Sequence, residues 1–267
     1  METSPHADPA FHRRVILVTR PQPEGDGFAN TLVGLGAIPL VVPAIEIAPP
    51  KHPDALAHAR HRLGEFDFAM FVSANAVRFA LGEPSRDAPM DRAWPSHVTA
   101  LATGQGTRAA LKAAGVPDTC IQTPIAGEDS EGLLALPLLS PMKGRRVVIF
   151  RGETGRALLG DALQERGATV EYVSAYRRIC PVVTPDLRQT VSKAKLSAST
   201  FTATEALLNF EAMFDPETLT VLKQTPAFVP HQRIAQTATQ LNWQTVVTSS
   251  GDHGLISGMR RYFIEQS

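Results

Sequence analysis

Residues 15–42 read VILVTRPQPEGDGFANTLVGLGAIPLVV, and residues 147–173 read VVIFRGETGRALLGDALQERGATVEYV. Each stretch has four apolar residues, a polar turn, a segment with helical apolar spacing, a Gly-Ala pair and a second apolar run. The offset is 132 residues at the start and 131 from Gly36 to Gly167, so a single gap aligns them. A second cassette repeats with an offset of 130: FDFAMFVSANAVRFAL (66–81) against LSASTFTATEALLNF (196–210). ATGQGTRAALKAAGV (102–116) then resembles VPHQRIAQTATQLNW (229–243). The order is A, B, A′, B′, a duplication of long period and not a solenoid, whose repeats run to tens of residues. A chain written this way must fold into two like lobes.

Short apolar runs rich in Val, Ile and Phe predict strands at 15–19, 38–42, 67–72, 98–102, 119–122, 147–151, 169–173, 197–202, 226–229 and 245–248. Apolar residues at three-to-four spacing predict helices at 27–35, 74–81, 106–114, 153–166, 204–212, 232–241 and 253–264. Strands alternating with helices indicate an α/β fold with parallel sheets covered on both faces. Two arrangements satisfy the cassette order. The lobes are A+B and A′+B′ in tandem, joined near residues 140–146, or A folds with B′ around an inserted B+A′. The segments PAIEIAPP (43–50) and SAYRRICP (174–181) occupy equivalent positions, are extended in character and point to the second arrangement as paired connecting strands.

Composition narrows the function. Lys plus Arg and Asp plus Glu are 26 each, which argues against a dedicated nucleic-acid binder and leaves local donors to hold any anionic ligand. The two cysteines, Cys120 and Cys180, form no CxxC pair, so a disulfide scaffold is not expected and a reducing cytoplasm fits. The first 14 residues have no apolar core for a signal peptide and read as a disordered lead-in. No run of 18 apolar residues predicts a membrane span, and no coiled coil or long apolar edge calls for more than a monomer.

In open parallel sheets, ligands bind beyond the carboxyl ends of the strands. The residues there are Thr19 and Arg20, then Ser73, Ala74 and Asn75, then Thr103, Gly104, Gln105, Gly106 and Thr107. Arg151 and Gly152 follow the next strand, and Thr202, Ala203 and Thr204, then His231 and Arg233, follow later ones. Small and hydroxylated residues there open helices, whose free N–H groups and positive dipole ends suit anions. Read plainly, the same residues are N-caps and turns. Gly104-Gln105-Gly106-Thr107 lacks the lysine and spacing of a nucleotide loop. His52, His58 and His61 have no convincing companions for a metal site, so no metal is expected. No GxSxG elbow or activated cysteine marks a covalent nucleophile. Tyr176 lies in the extended segment before Arg177 and Arg178. It is either a packing aromatic or a neutral phenol able to donate one hydrogen bond to a departing oxygen.

Read in order, VTRP with LVGLGAIPLVVPAIEI (18–47), FVSANAVRFAL (71–81), TGQGTRAALKAAGV (103–116), RGETGRALLGDALQERGATVEYVSAYRR (151–178), TFTATEALLNF (200–210) and HQRIAQTA (231–238) resemble uroporphyrinogen-III synthase over nearly the whole chain. The resemblance implies two similar, flavodoxin-like, doubly wound domains, one of residues 1–43 with 180–267 and one of 50–172. Residues 44–49 and 173–179 would be the connector strands. It also implies a cofactor-free cyclising lyase acting on hydroxymethylbilane, a linear tetrapyrrole rich in carboxylates. Loss of the terminal hydroxyl gives an azafulvene; attack by the substituted carbon of the last ring gives a spiro intermediate; fragmentation and reclosure invert that ring. Tyr176 matches the tyrosine proposed to assist hydroxyl departure, and the strand-end residues match the substrate grips. Val72 and Ala203 stand where hydroxylated residues are usual, which leaves backbone contacts at those points.

Two other readings stay open on the residues themselves. One is a two-domain sensor of a small anionic ligand. The other is a nucleotide-sugar transferase, for which the chain lacks a phosphate-anchoring segment.

Overall fold

The computed structural model describes residues 8–82, 93–125, 127, 130–154 and 157–266. The chain runs through β1 (Val15–Val18), α1 (Glu24–Gly34), β2 (Ile38–Val41), β3 (Glu46–Ala48), α2 (Pro53–His61), β4 (Phe68–Phe71), α3 (Ala74–Leu81), β5 (Thr99–Ala102) and α4 (Gln105–Ala113). It continues through β6 (Ile121–Gln122), α5 (Ser130–Leu134), β7 (Arg146–Gly152), α6 (Leu158–Glu165), β8 (Thr169–Ile179) and α7 (Pro185–Lys193). The last elements are β9 (Ala198–Thr200), α8 (Thr204–Met213), α9 (Pro216–Leu222), β10 (Ala227–Val229), α10 (Gln232–Gln240), β11 (Thr245–Val247) and α11 (Gly251–Glu265). The chain forms two compact units, Met1–Glu46 with Ile179–Ser267 and Ile47–Arg178.

One sheet has the order β11-β10-β9-β1-β2 and the other β3-β8-β7-β4-β5-β6. Substituting each cassette for its repeat makes the first five strands of the first sheet equivalent to β6-β5-β4-β7-β8 of the second. The two lobes share one spatial order although the chain threads them differently. In each, winding reverses between the first strand of an A cassette and the first strand of a B cassette. Those switch points lie between β1 and β9, and between β7 and β4, both parallel pairs.

The repeats match down to how their helices stop. Gly36 and Gly167 both adopt positive φ, 91° and 92°. In each case the following alanine donates its N–H back to a leucine carbonyl, Ala37 to Leu32 and Ala168 to Leu163, at 3.0 Å. Gly115 (φ 89°) and Asn242 (φ 66°) end α4 and α10 the same way, with Val116 donating to Leu111 and Trp243 to Ala238. Only a residue tolerant of the left-handed region closes this motif, which explains the Gly-Ala punctuation.

In the unit of residues 47–178, strand alternation feeds two cores. Ala69, Phe71, Ala100, Ala102, Val148 and Phe150 pack with Leu56, Ala59, Ala76, Val77, Ala80 and Leu111 on one face. Phe68, Met70, Leu101, Val147 and Ile149 pack with Leu133, Leu159 and Leu163 on the other. Both faces are therefore covered by helices, as an all-parallel set of strands requires. In the other unit, Ile16, Val18, Ala198 and Phe228 meet Phe28, Leu32, Leu255, Met259 and Phe263. Among the described residues no helix is long and apolar enough to cross a membrane.

Several expectations need correction. Of the expected disordered lead-in, residues 1–7 lie outside the described residues, and Asp8–Arg14 is packed in place: Phe11 is fully buried and meets the Phe263 ring edge-on, and Asp8 pairs with Arg260. One buried aromatic outweighs the polar character of its neighbours. The helix expected at 153–166 begins at Leu158, where the Tyr172 phenol receives the Gly160 N–H (2.9 Å) and donates to the Ala157 carbonyl (2.8 Å). The strand expected at 119–122 is only Ile121–Gln122, because a turn of 3-10 helix at Asp118–Cys120 follows Pro117. The strand expected at 169–173 and the connector strand expected at 173–179 are one strand, β8. The helices α5, α7 and α9 were not expected; α7 and α9 open on a proline, and α5 and α7 each bury a single residue.

Candidate functional site at the lobe switch points

In the unit of residues 47–178, the carboxyl ends of β4 and β7 flank the switch point. Ser73 leaves β4 in extended geometry and caps α3, its Oγ accepting from the Ala76 N–H at 3.1 Å. The same Oγ donates to the Tyr176 hydroxyl at 3.2 Å. Across the switch point, Gly152 ends β7 and lies opposite Tyr176 in the β7–β8 register. A β-carbon on Gly152 would stand 3.2 Å from Tyr176 Cζ, so the missing side chain makes room for the ring.

Tyr176 reaches this place through a bulge. Arg151 pairs with Ser174, but the next residue, Gly152, pairs with Tyr176, leaving Ala175 as the extra residue on β8. Strict alternation would aim Val173 and Ala175 at one face and Tyr176 at the other. The bulge instead turns Ala175 and Tyr176 to the same face, where all three join the core above α3. Tyr176 is only 8% exposed, and its ring stacks on Phe79 with centroids 6.2 Å apart. Its carbonyl accepts the Glu153 N–H at 2.9 Å, and the Glu153 carboxylate accepts the Lys51 N–H at 2.7 Å. Both backbone and ring are fixed.

Other expected residues of this unit fall nearby in different roles. Thr103 Oγ1 donates to the Val72 carbonyl at 3.2 Å, tying the end of β5 to the end of β4. Gly104 is the N-cap of α4 and, with Gln105, Thr123, Pro124, Ile125 and Gly127, lines a small hollow of about 250 Å³. Gly106 and Thr107 lie in the first turn of that helix, with Thr107 buried. Ala74 and Asn75 open α3, and the Asn75 side-chain oxygen accepts from Arg78. The Arg151 guanidinium lies 4.7 Å from the centre of the Tyr172 ring.

Among the described residues the other unit shows no counterpart of the Ser73–Tyr176 bond at its switch point. Thr19 Oγ1 donates to the Thr200 carbonyl at 2.7 Å, and Thr200 Oγ1 donates to the Leu17 carbonyl at 2.8 Å. These reciprocal bonds stitch β1 to β9 at the reversal itself. Arg20 is held over the Phe28 ring, 4.7 Å from its centre, and paired with Asp252 at the start of α11. Thr202 and Ala203 lead into α8, and Thr204 begins it with a buried Oγ1 that has no hydrogen-bond partner among the described residues. His231 caps α10 from an extended backbone, and Arg233 lies in its first turn.

Of the expected residues, then, Ser73 and Gly152 both meet Tyr176. Phe79 is a partner that the sequence does not single out, and Asp252 is one that it does not match to Arg20. Phe79 carries the helical apolar period of α3, which marks it as buried but not as a ring under a phenol. Asp252 lies 232 residues from Arg20, and no local signal connects them. Among the described residues no group of three or more His, Cys, Asp or Glu side chains is arranged to hold a metal ion. His58 and His61 lie in the last turn of α2.

Comparison with known proteins agrees with this architecture. The family model described as uroporphyrinogen-III synthase HemD matches residues 26–253. The chain is similar to uroporphyrinogen-III synthase of Escherichia coli (strain K12), 39% identical over 163 residues, which are 61% of this chain and 64% of that protein. The alignment thus spans less than two thirds of that relative's length. It is also similar to uroporphyrinogen-III synthase of Synechococcus elongatus, 33% identical over 204 residues, 74% of this chain and 73% of the other. Among solved structures, a mutant uroporphyrinogen III synthase from Thermus thermophilus aligns over 96% of this chain and 100% of its own, with a TM-score of 0.54 and 20% identity. The Helicobacter pylori uroporphyrinogen-III synthetase aligns over the same shares with a TM-score of 0.53 and 14% identity, and both likenesses concern the fold alone. With the family model covering most of its length, the chain belongs to the uroporphyrinogen-III synthase HemD family.

Proposed function

We propose that the protein cyclises hydroxymethylbilane to uroporphyrinogen III with loss of water and inversion of the last pyrrole ring. The observation that carries this reading is the Tyr176 phenol, buried at a switch point with its hydroxyl anchored by Ser73 and its ring seated on Gly152. The substrate's own pyrrole nitrogen drives hydroxide loss, so the protein needs no strong nucleophile. Tyr176 hydrogen-bonds to the departing oxygen and passes it a proton so that it leaves as water, and the pyrrole N–H proton given up in forming the azafulvene restores the phenol. The resulting azafulvene is attacked by the substituted carbon of the last ring, and fragmentation and reclosure of the spiro intermediate follow. The protein's larger contribution is to hold a flexible chain so that the substituted carbon is the one within reach.

The acetate and propionate groups are gripped by backbone donors where α3, α4, α8 and α10 begin, at Ser73–Asn75, Thr103–Thr107, Thr202–Thr204 and His231–Arg233, with Arg151 and Gly152 at the end of β7. Arg20 joins them if a substrate carboxylate takes the place of Asp252. Residues 44–49 and 173–179 serve as the connector. In support, Asn209 Nδ2 donates to the Ala44 carbonyl at 2.8 Å, and Arg177 Nε donates to the Pro49 carbonyl at 3.1 Å. The protein works as a cytoplasmic monomer, and the chemistry calls on no cofactor, metal, nucleic acid or membrane. The test is incubation with enzymatically generated hydroxymethylbilane and separation of the isomers. Uroporphyrinogen III is the expected product. A yield of the type I isomer alone, the spontaneous product, would instead support a sensor that binds and does not catalyse.

A further inference from the structure

We propose that the Ser73 hydroxyl is a positioning group that acts through Tyr176 and makes no substrate contact of its own, leaving any grip at this residue to its backbone. The inference rests on the cyclisation reading above. Ser73 has one hydroxyl proton and two lone pairs. One lone pair is committed to the N–H of Ala76, which fixes the hydroxyl at the head of α3. The proton goes to the Tyr176 oxygen at 3.2 Å. Among the described residues, Ser73 Oγ is the hydrogen-bond partner of the Tyr176 hydroxyl, so that hydroxyl accepts from the protein and keeps its own proton for an external acceptor. A phenol that instead donated to the protein would have nothing to offer a departing oxygen.

The arrangement also fixes rotation about the phenol C–O bond. The ring plane is held by stacking on Phe79 and by the close approach of Gly152. Ring stacking leaves the hydroxyl rotor free, and the Ser73 bond removes that freedom. The helix cap thus sets the direction in which Tyr176 presents its proton.

The experiment uses the full chain with Ser73→Ala, Ser73→Gly and Ser73→Thr, each alone and with Tyr176→Phe. Glycine is included because it is tolerated at N-caps, which separates loss of the hydroxyl from loss of the cap. The alanine and glycine variants should lower kcat by roughly tenfold, one hydrogen bond's worth, with KM within about twofold of wild type. The threonine variant should recover most of the rate. In the Tyr176→Phe background the Ser73 substitutions should add little. An equal kcat penalty in both backgrounds, or a rise in KM as the main effect, would overturn the proposal in favour of direct substrate contact. A second readout is independent of turnover: tyrosine labelled with ¹³C at Cζ reports hydrogen bonding at the phenol oxygen, and the chain holds three tyrosines, Tyr172, Tyr176 and Tyr262. Ser73→Ala should move the Tyr176 resonance, identified by its absence from Tyr176→Phe, and leave the other two in place. An unmoved resonance overturns the contact. A wild-type protein that makes no type III isomer fails the cyclisation reading alone, and the resonance still decides whether Ser73 orients the phenol.

Discussion

Gly152 and Tyr176 face each other across the β7–β8 register, and the space where a β-carbon on Gly152 would sit is taken by the tyrosine ring, 3.2 Å from Cζ and 3.5 Å from the hydroxyl oxygen. The glycine is there for proximity, since its backbone is not in the left-handed region. Gly152→Ala should therefore leave stability nearly unchanged but push the ring by a few tenths of an ångström. The expected cost is a several-fold fall in kcat for alanine and roughly 10²-fold for valine, as misplacement grows. Steady-state assays with matched urea melts check this, and a wild-type rate in Gly152→Val would contradict it.

A buried network elsewhere is structural. Glu211 accepts from Trp243 Nε1 and Lys223 Nζ, both at 2.7 Å, and the Glu211 and Lys223 side chains are 16% and 18% exposed. Glu211→Ala leaves a largely buried ammonium without its partner and should cost about 2–3 kcal/mol. Glu211→Gln keeps an acceptor for Trp243 and should cost less. Equilibrium urea unfolding at neutral pH measures both.

Ser199 presents the opposite case. It is fully buried in β9, and its hydroxyl has no hydrogen-bond partner among the described residues. Ser199→Ala removes an unsatisfied polar group at little cost in volume, so it should be neutral or stabilising by up to about 1 kcal/mol. A loss greater than that in urea melts would show that the hydroxyl has a partner.

Acid stability should depend on Asp67, which binds the head of β7. Burial alone would raise its pKa, but the Arg146 N–H (2.8 Å) and the Arg145 guanidinium (2.6 Å) outweigh it and hold the carboxyl below its ordinary value. A group depressed in the folded state contributes stability above its unfolded pKa of about 4 and loses it as the pH falls through the folded value. Asp67→Asn should lower Tm at pH 7 and show a smaller further drop than wild type between about pH 5 and pH 3. Parallel acid limbs in the two proteins would contradict this.

Much of the architecture could be read from the chain because it rests on local chemistry. Apolar runs bounded by turns marked the strands, and Gly36, Gly115 and Gly167 fell where helices need a left-handed residue to stop. The candidate residues could be read because parallel sheets put small N-capping residues such as Ser73 at their carboxyl ends. What escaped depends on register and on distant partners. Nothing in AYRR announces that Ala175 is a bulge, yet that one extra residue decides which face receives the phenol. Arg20 reads like any arginine after a strand, and only folding brings Asp252 against it. The helix α7, with Val191 as its buried residue, has too little apolar period to register as amphipathic.

The Tyr176 hydroxyl is the group on which departure of the leaving oxygen turns. The direct measurement is single-turnover formation of uroporphyrinogen III from hydroxymethylbilane by wild type and Tyr176→Phe, alongside urea melts of both. The expected result is a fall on the order of 10²-fold in the rate of ring closure with the fold intact. An unchanged rate in a properly folded Tyr176→Phe variant would contradict the account.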